Sequence, residues 1–142
     1  MFIKQLSIFI ENREGRLEKV TEILATNNIN IVCISLADTS EYGLLRMIVS
    51  DPMTAREVLK ENGFSAMLTD VIAVKLPHHF GMLNKLTKVL CDKNLNIEYM
   101  YALTSGKENA SIVIKTSDNA MACDAIEEIP LEILDPNVAY HM

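Results

Sequence analysis

Tryptophan is absent from this chain, and all aromatic residues together make up only 6% of it. Proteins that bind single-stranded nucleic acid stack the bases on aromatic side chains, and nucleic-acid binders in general present a positive surface. Here 13 basic residues face 19 acidic ones, which gives a formal net charge of −6. We therefore expect no nucleic acid among the partners.

Cysteine is scarce, with Cys33, Cys91 and Cys123 each standing alone and without CxxC spacing. An odd number of isolated cysteines argues against a disulfide framework. The N-terminus also lacks the basic stretch and apolar segment of a signal peptide, and no apolar run approaches the ~18 residues of a membrane span. These absences predict a cytoplasmic protein with no membrane partner.

An internal repeat is the main feature that the chain does contain. The stretch ENREGRL at residues 11–17 returns in altered form as PHHFGML at residues 77–83, and Gly81 minus Gly15 gives an offset of 66. A repeat of this size predicts two copies of one structural unit, which we place at residues 1–68 and 69–142. At the same offset Ile8 aligns with Val74, Ile10 with Leu76, Leu24 with Leu90, and Asn30-Ile31 with Asn96-Ile97.

Each half predicts the order βαββαβ. Apolar residues alternate over residues 3–10, recur with helical spacing over 17–24, and form two further runs that the hairpin turn 38–43 separates. Asp51 before Pro52 is typical of a helix start, whereas Pro130 and Pro136 interrupt the last strand. The fold class is thus α+β, with two ferredoxin-like units, each a four-stranded antiparallel sheet with both helices on one face.

Units of about 65 to 70 residues bury little surface and are marginal alone, so we expect the two sheets to pair side by side. The segment 64–76 is long enough to close the first half and open the second.

The first helix of each half begins just after a glycine, Gly15 or Gly81. A helix N-terminus presents unpaired N–H groups and a partial positive charge, so a carboxylate is a suitable ligand. Asn12 adds an amide that could contact both charged ends of an α-amino acid. The alternative is that Asn12 and Gly15 only turn the chain and cap the helix.

The sequence gives little support for metal binding or catalysis. Adjacent His78 and His79, with Cys91 or His141 as further ligands, lack HxxxH or CxxC spacing. Cys33 and Cys91 fall in apolar patterns, which favours core packing over nucleophilic catalysis. An acylphosphatase, an enzyme of this fold, would carry an anion-binding glycine-rich loop with Arg and Asn, and that signature is not visible. We expect no metal, no cofactor and no enzymatic activity.

The loop residues resemble those of the ACT domain family. The family's loop reads Asn or Asp, any residue, Pro, Gly, any residue, Leu, and an Asn-Ile pair starts the next strand. Asn12, Gly15, Leu17 and Asn30-Ile31 match in the first half, and Gly81, Leu83 and Asn96-Ile97 match in the second. Over nearly its whole length the chain is similar to a tandem ACT domain protein.

The resemblance implies a regulatory, allosteric function without a catalytic domain. An amino acid would bind at the junction of two ACT units, where the glycine loop of one meets the second-strand start of its neighbour. The implied ligand-binding residues are Asn12, Arg13, Glu14, Gly15, Arg16, Leu17, Asn30, Ile31, His78, His79, Phe80, Gly81, Met82, Leu83, Asn96 and Ile97.

The two loops depart from the family pattern to different degrees. Glu14 replaces the usual Pro in the first, whereas His78 and Phe80 replace both the Asn or Asp and the Pro in the second. We therefore expect two unequal sites.

The sequence is compatible with a second function besides that of an amino-acid sensor. The chain could be an interaction module or regulatory subunit that docks on a separate metabolic enzyme without binding a ligand, and the sequence leaves open whether it forms a homodimer.

Overall fold

A computed structural model describes residues 2–38 and 41–142. It contains the predicted order of strands and helices in each half, which confirms the α+β class. The elements are β1 Ile3–Glu11, α1 Arg16–Thr26, β2 Ile31–Asp38, β3 Tyr42–Val49, α2 Pro52–Glu61, β4 Ser65–Pro77, α3 Met82–Asp92, β5 Ile97–Ser105, β6 Asn109–Thr116, α4 Asn119–Glu127, β7 Glu132–Ile133 and α5 Pro136–Tyr140.

The chain folds as two compact units. The N-terminal unit comprises Lys4–Thr69 with Tyr140–Met142, and the C-terminal unit comprises Asp70–Ala139 with the start of the chain. β4 is one strand of 13 residues. Its residues 65–69 belong to the N-terminal unit and residues 70–77 to the C-terminal unit.

In the N-terminal unit the strand order is β2-β3-β1-β4. β3 lies antiparallel to both β1 and β2. α1 and α2 pack on one face of this sheet, as the ferredoxin-like prediction requires. The core between helices and sheet is formed by Leu6, Ile8, Ile10, Val20, Ile23, Leu24, Leu45, Met47, Val49, Ala55 and Leu59.

The C-terminal unit repeats this arrangement with the order β5-β6-β4, and β7 pairs with β4 as well. β7 is only two residues long because Pro130 precedes it and Pro136 opens α5, in line with the predicted interruption. The core is formed by Ile72, Val74, Leu76, Met82, Leu86, Leu90, Ile114, Ala122, Cys123, Ala125 and Ile126.

The ends of α1 and α3 show how closely the repeat holds. Each helix is followed by an asparagine in the left-handed region, Asn28 with φ 58° and Asn94 with φ 57°. In each, the N–H of the next residue donates to the carbonyl five residues earlier at 2.9 Å. This Schellman geometry ends both helices and starts both second strands at equivalent places.

The helix starts fall into two types. Asp51 and Asp118 cap α2 and α4, and each carboxylate accepts from the N–H three residues later at 3.1 Å. α1 and α3 instead follow Gly15 and Gly81, whose φ values are 84° and 83°, and no side chain of the described residues caps them. Among the described residues, α1 and α3 thus start without a side-chain cap, and both starts lie beside the predicted sites.

Gly15→Ala should lower the free energy of unfolding by about 1–2 kcal/mol, the cost of holding a residue with a Cβ in the left-handed region. Packing does not contribute, because a Cβ at this position would meet no atom within 4 Å. Urea unfolding followed by circular dichroism measures the change.

The converse substitution, Asn28→Gly, serves as the control and should stay within about 0.5 kcal/mol, since glycine adopts positive φ readily. Equal effects of the two variants would contradict the strain at position 15.

The hairpin turn was predicted at residues 38–43. β2 ends at Asp38 and β3 begins at Tyr42, while Thr39 and Ser40 lie outside the described residues.

Among residues 2–38 and 41–142, no helix is long and apolar enough to cross a membrane, and the longest helices have 11 residues.

Candidate functional site

Backbone hydrogen bonds hold the loop between β1 and α1. The Asn12 N–H donates to the Glu41 carbonyl and the Arg13 N–H to the Glu11 carbonyl, both at 2.9 Å. Gly15 then directs the chain into α1. These bonds fix the loop geometry within the N-terminal unit without a ligand.

The loop between β4 and α3 has the same geometry. The His78 N–H donates to the Glu108 carbonyl at 2.9 Å, the His79 N–H donates to the Pro77 carbonyl at 2.8 Å, and Gly81 leads into α3. His78 lies 66 residues after its equivalent, Asn12, whereas Glu108 lies 67 residues after its equivalent, Glu41. The segment between the loop and its hydrogen-bond partner is therefore one residue longer in the second half. The difference of one residue leaves the loop itself unchanged.

Both loops lie at helix N-termini, where the first N–H groups have no acceptor within the helix. The aligned peptide dipoles add about half a positive charge at this end. Because Gly15 and Gly81 carry no side chain, a ligand can approach the backbone closely. The geometry suits an anion such as a carboxylate.

A cavity of about 290 Å³ lies beside the first loop, and we call it the Asn12 cavity. Its rim holds an ion pair between Arg13 Nε and Glu11 Oε2 at 2.7 Å, with side chains 58% and 50% exposed. Such an exposed pair contributes little to stability but makes the rim polar. The lining residues are Ile10, Glu11, Asn12, Arg13, Leu17, Leu36, Ala37 and Gly43.

A larger cavity of about 540 Å³ lies beside the second loop, and we call it the His78 cavity. Its lining is mostly aliphatic and aromatic. Phe80 is fully exposed at the rim, and Leu83 is 47% exposed. The lining residues are Leu76, Pro77, His78, His79, Phe80, Met82, Leu83 and Ala110.

The His78 ring is oriented by the loop before β6. Its Nε2 lies 2.7 Å from the Gly106 carbonyl oxygen. Because a carbonyl only accepts, Nε2 carries the proton, and in the neutral ring Nδ1 is then the acceptor. Through this contact the loop at Gly106 positions one wall of the His78 cavity.

The predicted residues at the second-strand starts lie elsewhere. Asn96 and Ile97 line a different cavity of about 500 Å³, together with Thr87, Cys91, Asn94 and Leu95. Neither Asn30-Ile31 nor Asn96-Ile97 lines the cavity beside the glycine loop of its own unit. Asn30 and Asn96 hold the strand starts through their N–H groups, which donate to Ser50 Oγ at 2.9 Å and Ser117 Oγ at 3.1 Å.

Arg16 lies away from the Asn12 cavity, although it was predicted as a site residue. Its guanidinium carbon stands 4.4 Å from the centre of the Phe64 ring, a cation–π contact within the N-terminal unit. Its Nε is buried and has no hydrogen-bond partner among the described residues. Glu14, Gly15 and Gly81 belong to the loops without lining either cavity.

The strands supply lining residues that the loop motif did not indicate. Ile10 faces Gly43 across β1 and β3, and Leu76 faces Ala110 across β4 and β6. All four residues line the cavities of their units. The repeated pairing of a large residue with a small one leaves room beside each loop.

Within residues 2–38 and 41–142, no group of three or more His, Cys, Asp or Glu residues could hold a metal ion.

The prediction that Cys91 packs in the core is wrong, because its side chain is exposed. It stands in the last turn of α3, where Leu90 is the buried residue. Cys33 is partly buried and Cys123 is buried.

Known proteins resemble this chain both in sequence and in fold. The sequence matches the family model of the ACT domain pair over residues 1–138. The crystal structure of a protein from Bacteroides thetaiotaomicron is similar over 100% of this chain and 98% of its own, with 38% identity and a TM-score of 0.95. No curated protein matches the sequence.

Two regulatory subunits of aspartate kinase share the fold at lower identity. The ligand-free subunit from Thermus thermophilus is 19% identical, with 89% of this chain and 93% of that one covered and a TM-score of 0.65. The subunit from Thermus flavus is 20% identical, with 98% and 92% covered and a TM-score of 0.59.

Proposed function

Because the chain belongs to the family of ACT domain pairs, we propose that it is a regulatory protein that binds an amino acid at its glycine loops. One repeated arrangement supports this most strongly. In both units a glycine turn, a helix N-terminus without a side-chain cap among the described residues, and a cavity lie side by side. An amino acid has a matching set of groups, a carboxylate and a side chain.

The carboxylate would bind the N–H groups at the start of α1 or α3. The first N–H of each helix already donates within the loop, from Arg16 to the Arg13 carbonyl at 3.5 Å and from Met82 to the His79 carbonyl at 3.3 Å, so the N–H groups of the next residues would bind the carboxylate. Hydrogen bonds to a charged group are also stronger than those between neutral groups. Both sites would therefore require a carboxylate on the ligand.

The ammonium group needs an acceptor on the opposite side of the ligand. Asn12 lines its cavity and has an amide oxygen for this purpose. In the other unit His78 occupies the equivalent position, and its Nδ1 is the acceptor of the neutral ring. The two units would thus bind the same group of the ligand with different side chains.

A regulatory rather than catalytic function agrees with the state of two of the cysteines. Burial raises the pKa of the Cys33 thiol, and burial followed by the nearby carboxylates Glu127 and Asp124 raises that of Cys123. A raised pKa disfavours the thiolate, which is the nucleophilic form. We propose that binding acts on another protein or on oligomerisation.

We also propose that the protein works in the cytoplasm. All three cysteines are unpaired thiols, and a reducing compartment keeps thiols in this form.

Docking on a regulated enzyme is the second candidate function. On β1 and β3, Phe9 and Tyr42 stand on the sheet face away from the helices and are 53% and 52% exposed. Exposed apolar side chains that cluster on one face are typical of interaction surfaces. A regulatory subunit could dock on a separate enzyme through such a face without binding a ligand itself.

A thermal-shift screen of the twenty amino acids tests the proposal. A ligand at 100 times its Kd should stabilise the protein by about 2.7 kcal/mol, and the melting temperature should rise by several degrees. The amide derivative of the active amino acid is the control. It lacks the carboxylate and should give no rise.

If none of the amino acids raises the melting temperature, the sensor proposal fails and docking on an enzyme becomes the favoured function. A rise that the amide derivative reproduces in full would contradict recognition of the carboxylate.

A further inference from the structure

We propose that the His78 cavity selects amino acids with a large apolar side chain, whereas the Asn12 cavity does not share this preference. This inference rests on the proposed function, because it names the class of ligand that one of the two sites takes. Three properties of the cavity support it, namely its lining, its volume and the aromatic residue at its rim.

The chemistry of the lining differs between the units. Glu11 and Arg13 form an ion pair at the rim of the Asn12 cavity. None of the residues that line the His78 cavity, all of them described, is an Asp, Glu, Lys or Arg. Apart from the two histidines the lining offers no polar side chain, so a charged ligand side chain would lose hydration there, which is costly.

Substitutions at equivalent positions account for this difference. Pro77 and His79 stand where the first loop has the ion pair of Glu11 and Arg13, and Met82 stands where it has Arg16. Arg16 turns onto the ring of Phe64, whereas Met82 lines the His78 cavity. Two charged positions of the first loop have therefore become apolar contacts in the second.

The volume also distinguishes the two cavities. The His78 cavity has about 540 Å³ and the Asn12 cavity about 290 Å³. Sites that enclose small molecules have volumes of roughly 300–1,000 Å³. The larger cavity can hold a bulky side chain together with the α-carbon groups of the ligand.

Phe80 lies fully exposed at the rim, in a chain where few aromatic residues occur at all. Burying one face of this ring against an apolar guest removes apolar surface from water. An aromatic guest adds a ring-to-ring contact of about 0.5–1.5 kcal/mol, which corresponds to a two- to twelvefold gain in affinity.

Isothermal titration of the whole chain tests the selectivity, with Asn12→Ala used to weaken the other site. Alanine, leucine, phenylalanine, aspartate and lysine are the ligands. Each buried methylene contributes about 0.8 kcal/mol, or a fourfold gain, so leucine should bind at least tenfold more tightly than alanine. Aspartate and lysine should bind at least tenfold more weakly than leucine.

Ala110→Leu places a larger side chain in the His78 cavity and should weaken leucine binding at least tenfold. Ala102→Leu is the matched control, since Ala102 is exposed on β5 and lines neither cavity, and it should leave the affinity unchanged. Phe80→Ala alters a fully exposed side chain and keeps the fold. It should weaken phenylalanine binding two- to twelvefold.

The outcomes separate the two proposals. Binding that ignores side-chain size, or that survives both Ala110→Leu and Phe80→Ala, overturns the selectivity and leaves the amino-acid sensor standing. If the unsubstituted chain binds none of the amino acids, the sensor proposal fails and the selectivity fails with it.

Discussion

Leu24→Ala and Leu90→Ala should each lower the free energy of unfolding by about 3–5 kcal/mol, the range for emptying a fully buried leucine site. Both side chains are 0% exposed, and they stand 66 residues apart in the cores of the two units. Their equal burial at equivalent positions predicts similar losses. Urea unfolding followed by circular dichroism measures both.

Met53→Ala is the control, because Met53 is 53% exposed on α2 and its truncation should cost less than about 0.5 kcal/mol. A loss below about 1 kcal/mol for either leucine variant would show that its site is not the tightly packed core position described above.

Asn12→Ala should weaken amino-acid binding at the Asn12 cavity about 10- to 100-fold, because a hydrogen bond to a charged group contributes roughly 1.5–3 kcal/mol. Asn12 lines the cavity, and its N–H bond to Glu41 is made by the backbone, so the substitution leaves that bond in place. Titration calorimetry measures the affinity, and urea unfolding measures the stability separately.

Asn62→Ala is the matched control within the same unit. Asn62 is exposed at the end of α2, and its side-chain amide donates to the Val58 carbonyl at 2.7 Å, away from the cavity. The control should leave the affinity unchanged. An Asn12→Ala affinity within twofold of the original would place the ammonium contact elsewhere.

Much of the fold was predictable because the repeat supplied two independent copies of each signal. Asn28 and Asn94 end equivalent helices with φ values that differ by 1°, and Asp51 caps α2 as its position before Pro52 indicated. Local signals of this kind act through backbone geometry, which short sequence patterns describe well.

The site was only partly predictable. Both glycine loops were found, since a glycine between a strand and a helix is a local signal. Gly43 and Ala110 were missed because their place beside the loops depends on strand register. Register is a property of pairing between distant segments, and the spacing of residues within one segment does not reveal it.

Arg16 and Cys91 illustrate a second limit. Each lies in a predicted helix, but the direction of its side chain depends on the packing around it. Arg16 lies over Phe64, which is 48 residues further along the chain, and Cys91 stands on the outer side of the last turn of α3. Helical spacing predicts that a helix has a buried face. It does not predict accurately which residues lie at the edges of that face.

The position of the bound amino acid is the central claim, and a titration followed by ¹H–¹⁵N correlation NMR tests it most directly. The ligand is the amino acid with the largest thermal shift. The account predicts that the largest movements occur in the amide signals of residues 14–18 and 80–84, where the first N–H groups of α1 and α3 would bind the carboxylate. Saturable binding that leaves both groups of signals unmoved and shifts amides elsewhere would contradict it.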